Sequence, residues 1–168
     1  MKINQIYILL ISIHGLIRGK ELELGRDADT GGQTKYVLEL AQSLSKLPEI
    51  QQVDLMTQLL IDPHISSDYS KFIEILNPKA NIIRIASGSN EYIPKEELWD
   101  YLDTFADNAI IYLQTQEKMP DVIHSHYADA GYVGIRLSHQ LGIPLIHTGH
   151  SLGPVSYTHL TLPTNREV

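Results

Sequence analysis

Ile6-Tyr7-Ile8-Leu9-Leu10-Ile11-Ser12-Ile13 runs apolar into His14-Gly15, and a polar loop later closes on Asp29-Thr30-Gly31-Gly32-Gln33. Beyond the glycine pair, Tyr36, Val37, Leu40, Ala41, Leu44 and Leu47 recur at three- and four-residue spacing, the period of a helix. A strand, a glycine-lined loop and a helix start, in that order, build an anion site. First-turn amides have no intrahelical acceptor, and the helix dipole favours negative charge beside them. Lacking a Cβ, Gly31 and Gly32 let a phosphate reach the backbone. The stretch therefore points to an α/β domain of the kind that holds a nucleotide or a sugar phosphate.

Outward from this unit the same grammar repeats. Strands are expected over Gln5–Ile13, Val53–Thr57, Asn81–Ile85, Asp121–His124 and Leu145–Thr148. Helices are expected over Gly31–Lys46, Lys95–Gln114 and Ala130–Leu141. Pro94 stands where a helix begins, and Leu98, Trp99, Leu102, Phe105, Ala109 and Leu113 follow on one helical face. A polar connector carrying Pro63 and Pro78 joins the second and third strands. Strands alternating with helices imply a Rossmann-like, doubly wound parallel sheet with right-handed crossovers.

Composition narrows the function. The 168 residues are 43% hydrophobic and 20% charged, enough for one domain with a proper core. A net charge of −7 without a basic stripe argues against nucleic acid. No apolar run approaches the roughly 20 residues of a membrane helix, and no signal-peptide pattern opens the chain. With no cysteine there is neither a disulfide framework nor a thiolate metal site, and a cytoplasmic setting fits. The chain also lacks G-x-x-x-x-G-K-[ST], a G-x-G-x-x-G directly after the first strand, and G-x-S-x-G.

Polar residues gather instead at the C-terminal ends of the expected strands, where open parallel sheets bind ligands. The first such end contributes His14, Arg18, Arg26, Gln33 and Lys35. The later ones contribute His126, Tyr127 and Asp129, then His150 and Ser151. Each has a plainer reading. His124 ends an apolar strand and suits a structural histidine, Asp129 suits a cap on the helix after it, and His64 and His139 suit the surface. No histidine pair shows helical metal-ligand spacing, so no metal site is expected.

HGLIRG at His14–Gly19, LELGRDADTGGQTKYVLELA at Leu22–Ala41, YIPKEELWDYLDTFAD at Tyr92–Asp107, DVIHSHYADAGYVG at Asp121–Gly134 and HTGHSLG at His147–Gly153 together resemble one family. It is the sucrose-phosphate synthase type within the sucrose synthase branch of the retaining GT-B glycosyltransferases. The resemblance implies the N-terminal, acceptor-side half of a two-lobed enzyme. That enzyme transfers glucose from UDP-glucose to fructose 6-phosphate, with no cofactor required and a magnesium-bound nucleotide compatible. It further implies that Gly32 and Gln33 lie against the donor diphosphate and acceptor, that Lys95 and Tyr127 contact the sugar or its phosphate, and that Ser151 helps hold the acceptor. His150 is then the catalytic position, beside the reacting carbon. Sucrose synthase, with free fructose as acceptor, and a non-catalytic sugar-binding module are the alternatives.

The last residues break the pattern. Val155–Thr164 read VSYTHLTLPT and resemble a translated sequencing-library adapter rather than a strand or helix of the fold. Residues 1–153 are accordingly expected to be the acceptor-side domain and 154–168 a non-native tail, with the donor lobe outside this chain.

Overall fold

The computed structural model describes residues 5–150; Ser151 and the tail from Pro154 lie outside the described residues. Six strands form one sheet: β1 (Ile6–Ile11), β2 (Ile50–Gln58), β3 (Ile73–Asn77), β4 (Ala80–Ile85), β5 (Val122–His126) and β6 (Leu145–Thr148). Three α-helices accompany them: α1 (Gly32–Leu44), α2 (Leu102–Gln114) and α3 (Tyr127–Leu141). Short 3-10 turns cover Ser67–Ser70 and Leu98–Tyr101. The strand order is β3-β4-β2-β1-β5-β6. β1 lies parallel to β2 and β5, β2 to β4, and β5 to β6.

Alternation along the central strands sorts their side chains to the two faces. Leu9, Ile11, Ile13, Met56 and Ile83 pack under α2 and α3 with Leu102, Phe105, Leu113, Val133 and Leu137. Leu10, Val53, Leu55 and Ile82 pack under α1 with Val37, Leu38 and Ala41. Complete burial of one such side chain is worth about 1.5–3 kcal/mol, so both layers contribute heavily. With helices on both faces, the doubly wound sheet is present. Its direction of winding reverses between β1 and β5, and a crevice opens above their C-terminal ends.

The sheet departs from a purely parallel one at its edge. β3, inside the expected polar connector, pairs antiparallel to β4. Ile73 and Ile75 face outward at this edge while Glu74 turns inward to meet Arg84. Arg84, fully buried, also donates to the carbonyls of Ile17 and Lys71, and the Gly19 amide donates to Glu74 Oε1 at 2.8 Å. The hairpin thereby ties down the loop after β1.

Further differences concern helix faces and starts. Residues 95–97 form a turn and the α-helix begins only at Leu102. The 3-10 turn rotates Trp99 off the buried stripe; it is 50% exposed and stacks edge-on with Tyr132. On α1 the buried face is Thr34, Val37, Leu38 and Ala41, while Tyr36 is exposed, as is Leu47 beyond the helix end. Among the described residues no helix is long and apolar enough to cross a membrane.

Candidate functional site

β1 delivers the chain to Ser12 and His14 at the crevice, and Gly15 turns it away. Gly15 has φ +81°, and a Cβ there would stand 2.6 Å from the Asp29 carbonyl oxygen and 2.7 Å from Thr34 Cγ2. Only glycine lets the outgoing loop pass so close to its own return. The return is held by Asp27, whose Oδ1 accepts from the amides of Asp29 and Thr30 and from the Tyr92 hydroxyl. Partial burial opposes ionisation of Asp27, yet these donors bring its pKa below the usual carboxylate range. The loop that presents the helix start is thus fixed from within.

At the start of α1, Gly31 is extended (φ −122°, ψ −152°) and no side chain caps the helix. The first turn contains no acidic residue. A Cβ placed on Gly31 or Gly32 would meet nothing within 4 Å. Neither packing nor a positive φ calls for glycine at these positions. Their bareness keeps the first-turn amides open to the crevice.

A cavity of about 250 Å³ lies against this helix start, walled by Gly31, Gly32, Gln33, His14, Asp29, Lys95, Tyr127 and His150. Five of the six expected site residues, Gly32, Gln33, Lys95, Tyr127 and His150, therefore share one rim; Ser151 lies outside the described residues. Gln33 Nε2 donates to Ser12 Oγ at 3.1 Å. Lys95 Nζ pairs with Asp29 Oδ1 at 3.3 Å and stands 5.5 Å from the centre of the Tyr127 ring. The Lys95 amide donates to Asp29 Oδ2 at 2.8 Å, so one carboxylate holds both ends of the lysine. Partial burial lowers the Lys95 pKa, but Tyr127 and Asp29 outweigh it and the net direction is upward.

Tyr127 and His150 both occupy the left-handed region, at φ 76° and 60°. That conformation is uncommon for residues with a Cβ and concentrates at functional sites. Tyr127 turns β5 directly into α3, three residues earlier than the sequence pattern suggests, and its ring meets His14 edge-on at 4.6 Å. Beneath the rim lies a histidine cluster. β5 is unbroken through His126, so His124 and His126 point to the same side with ring centres 4.1 Å apart. His124 Nε2 is 2.8 Å from Thr148 Oγ1, the satisfied structural role expected of it. His126 is fully buried, its Nδ1 is 3.0 Å from His150 Nε2, and its own Nε2 has no partner among the described residues.

Burial, and then the neighbouring histidines, push the His126 pKa down to about 3. The same causes lower those of His124 and His150, with His14 and His147 acting on His150. The cluster is therefore neutral near pH 7. Among the described residues no group of three acids or histidines has the geometry to hold a metal ion.

Several sequence expectations need correction. Arg18 donates to the Glu21 carbonyl and pairs with Asp68 and Glu23, Arg26 pairs with Glu23 and donates to the His64 carbonyl, and Lys35 pairs with Glu39. None of the three lines the cavity. Asp129 does not cap α3 at its N-cap, which is His126; it reaches across to His14 instead. Sequence reasoning assigns no role to Asp29, although its place two residues before the glycine pair is a signal for one.

Comparison with known proteins bears on the family and the fold. A family model described as the sucrose synthase first GT-B domain matches residues 2–163. A probable sucrose-phosphate synthase 4 of Oryza sativa subsp. japonica is 43% identical, with 90% of this chain and 17% of that protein covered. A sucrose-phosphate synthase of Zea mays is 42% identical over the same shares. The chain thus spans 17% of the length of these curated relatives. A solved sucrose-phosphate synthase from Thermosynechococcus elongatus superposes with a TM-score of 0.74 at 29% identity, covering 97% of this chain and 37% of that one. The match along nearly the whole chain and the shared sheet lead to one conclusion: the chain belongs to the family of the sucrose synthase first GT-B domain.

Proposed function

We propose that this domain forms the acceptor side of a retaining glycosyltransferase that moves glucose from UDP-glucose to fructose 6-phosphate, giving sucrose 6-phosphate. The observation that carries the reading is the cavity at the β1/β5 crevice, where an uncapped, Cβ-free helix start stands beside Lys95, Tyr127 and His150. In this reading the amides around Gly32 and Gln33 receive anionic oxygens. Lys95 supplies the cation for the sugar phosphate, and Tyr127 supplies a flat wall and a hydroxyl. His150, neutral at working pH, orients the attacking hydroxyl toward the anomeric carbon. Ser151 follows directly in the chain and completes the acceptor contacts. The nucleotide-gripping groups belong to a second lobe, and the setting is cytoplasmic.

One observation favours sucrose synthase, with unphosphorylated fructose, as a second reading. Lys95 is the one cation among the described residues that wall the cavity, and Asp29 already neutralises it. A full-length protein carrying this domain, assayed for UDP release, separates the two. Activity with fructose 6-phosphate well above that with fructose supports the first reading, and the reverse preference overturns it in favour of the second. The 168-residue chain alone is expected to release no UDP from UDP-glucose and fructose 6-phosphate, because positioning and charge stabilisation of the leaving group need the second lobe.

A further inference from the structure

One hydrogen bond in the candidate site has a direction that chemistry alone decides. The Asp129 side chain is 2% exposed, and it faces two backbone amides and one ring nitrogen of His14. Its Oδ1 accepts from the Ala130 amide at 2.7 Å. Its Oδ2 accepts from the His14 amide at 3.2 Å and stands 2.8 Å from His14 Nδ1. A carboxylate has only acceptors, so the proton between them sits on Nδ1. A neutral imidazole carries one proton, which leaves Nε2 as a bare lone pair.

The ring has little freedom to escape this arrangement. His14 is 3% exposed, Asp129 holds it from one side, and the Tyr127 ring meets it edge-on at 4.6 Å. The residue nevertheless lines the cavity beside Gly32 and Lys95. Among the described residues Nε2 makes no hydrogen bond, unlike Nδ1. The residues that share the wall include donors, the Lys95 ammonium and the amides at the start of α1, and acceptors, of which the Asp29 carboxylate is already paired with Lys95. A bare ring nitrogen there complements a ligand group that gives a hydrogen, and on a sugar that group is a hydroxyl.

We propose that Asp129 is a positioning residue that holds His14 in its Nδ1–H form, so that Nε2 accepts a hydrogen bond from a hydroxyl of the bound sugar. The identity of that sugar rests on the reading under Proposed function; the tautomer does not. A purely architectural tie between α3 and the loop after β1 is the competing account of the same contacts. The two differ in what removing the acceptor does to the ring. Asn is the wrong probe, because a carboxamide turned with its oxygen toward His14 still accepts from the His14 amide and from Nδ1–H. In Asp129→Ala no side-chain acceptor faces Nδ1, nothing holds the ring proton there, and the Nε2–H form becomes populated. In that form the acceptor in the cavity is a donor.

The test uses the 15N-labelled chain and long-range 15N–1H correlation spectra of its histidine rings. In the wild type, His14 is expected to show a protonated Nδ1 and a bare Nε2. Fructose 6-phosphate should move the Nε2 resonance, whereas inorganic phosphate alone should not. Asp129→Ala should populate the Nε2–H form and weaken fructose 6-phosphate binding roughly tenfold or more, while Asp129→Asn, with its oxygen toward His14, should keep the Nδ1–H form. A wild-type ring protonated on Nε2 overturns the proposal, as does an Asp129→Ala protein with an unchanged tautomer and affinity. A sugar phosphate that shifts the Gln33 or Lys95 signals but leaves His14 Nε2 still overturns it too. Should the variant not fold, the wild-type tautomer and the response of its Nε2 to fructose 6-phosphate decide alone. Failure of fructose 6-phosphate to shift any signal counts against the acceptor assignment, while the tautomer is read independently.

Discussion

Replacing Gly32 by alanine separates a residue kept for folding from one kept for a ligand. The added methyl meets nothing within 4 Å, and the position opens α1 without a positive φ. Packing therefore sets no penalty, and the loss of glycine's freedom in the unfolded chain favours the variant by about 0.5–1 kcal/mol. The same methyl is added at a residue that walls the cavity, in the first turn whose amides are open to it. An anion bound there would lose one or two charge-assisted hydrogen bonds of about 1.5–3 kcal/mol each, or about 10- to 100-fold in Kd for one. Urea unfolding gives the first quantity and calorimetric titration with fructose 6-phosphate gives the second. The expected outcome is a variant as stable as the wild type, or more so, that binds at least about tenfold more weakly. A loss of stability above about 1 kcal/mol, or unchanged binding, would refute the claim that the bare helix start serves a ligand.

Gly15→Ala should behave in the opposite way. Its left-handed φ and the 2.6 Å approach to the Asp29 carbonyl point to a loss of about 2–4 kcal/mol in urea unfolding; a loss below about 0.5 kcal/mol would contradict the packing described. Stability should also fall in mild acid. His126 has a folded pKa of about 3 against an ordinary 6.5, so its contribution is full above pH 6.5 and declines as pH falls toward 3. Between pH 7 and pH 5 that amounts to about 2 kcal/mol, and His124 and His150, shifted the same way, add to it. His126→Gln should flatten this dependence, and an equally steep profile in that variant would exclude His126 as its source. Arg84→Met should leave the partly buried Glu74 without its cation and the carbonyls of Ile17 and Lys71 without their donor, at a cost of about 1–3 kcal/mol, which chemical denaturation would measure.

The sequence made the central architecture legible because its signals were local. The apolar runs of β1 and β2 and the helical stripe of α2 each sit within a short window, and the glycine pair marks the start of α1. β3 escaped because Ile73-Glu74-Ile75 is a short edge segment between Pro63 and Pro78 that turns its charged residue inward, to Arg84 on β4, and its isoleucines outward. The early start of α3 escaped because it requires Tyr127 at positive φ, which no propensity favours. At the site, the identities of Gly32, Gln33, Lys95, Tyr127 and His150 came through the family's motifs. Their electrostatic partners did not. Pairing Lys95 with Asp29 and His14 with Asp129 spans 66 and 115 positions, beyond any periodicity argument. The arginines misled for the same reason, since Glu23 and Asp68 intercept them before they reach the crevice.

The clasp formed by Glu74 and Arg84 gives the outermost hairpin a reach that its remote position hides. It grips the backbone at Ile17 and Gly19, only a few residues beyond His14, from the sheet margin farthest from β6. Variation in the hairpin's length or tilt would be transmitted as displacement of the first loop of the rim, with every rim residue left intact. The shape of the cavity can thus be altered from a peripheral ribbon that contributes nothing to its wall.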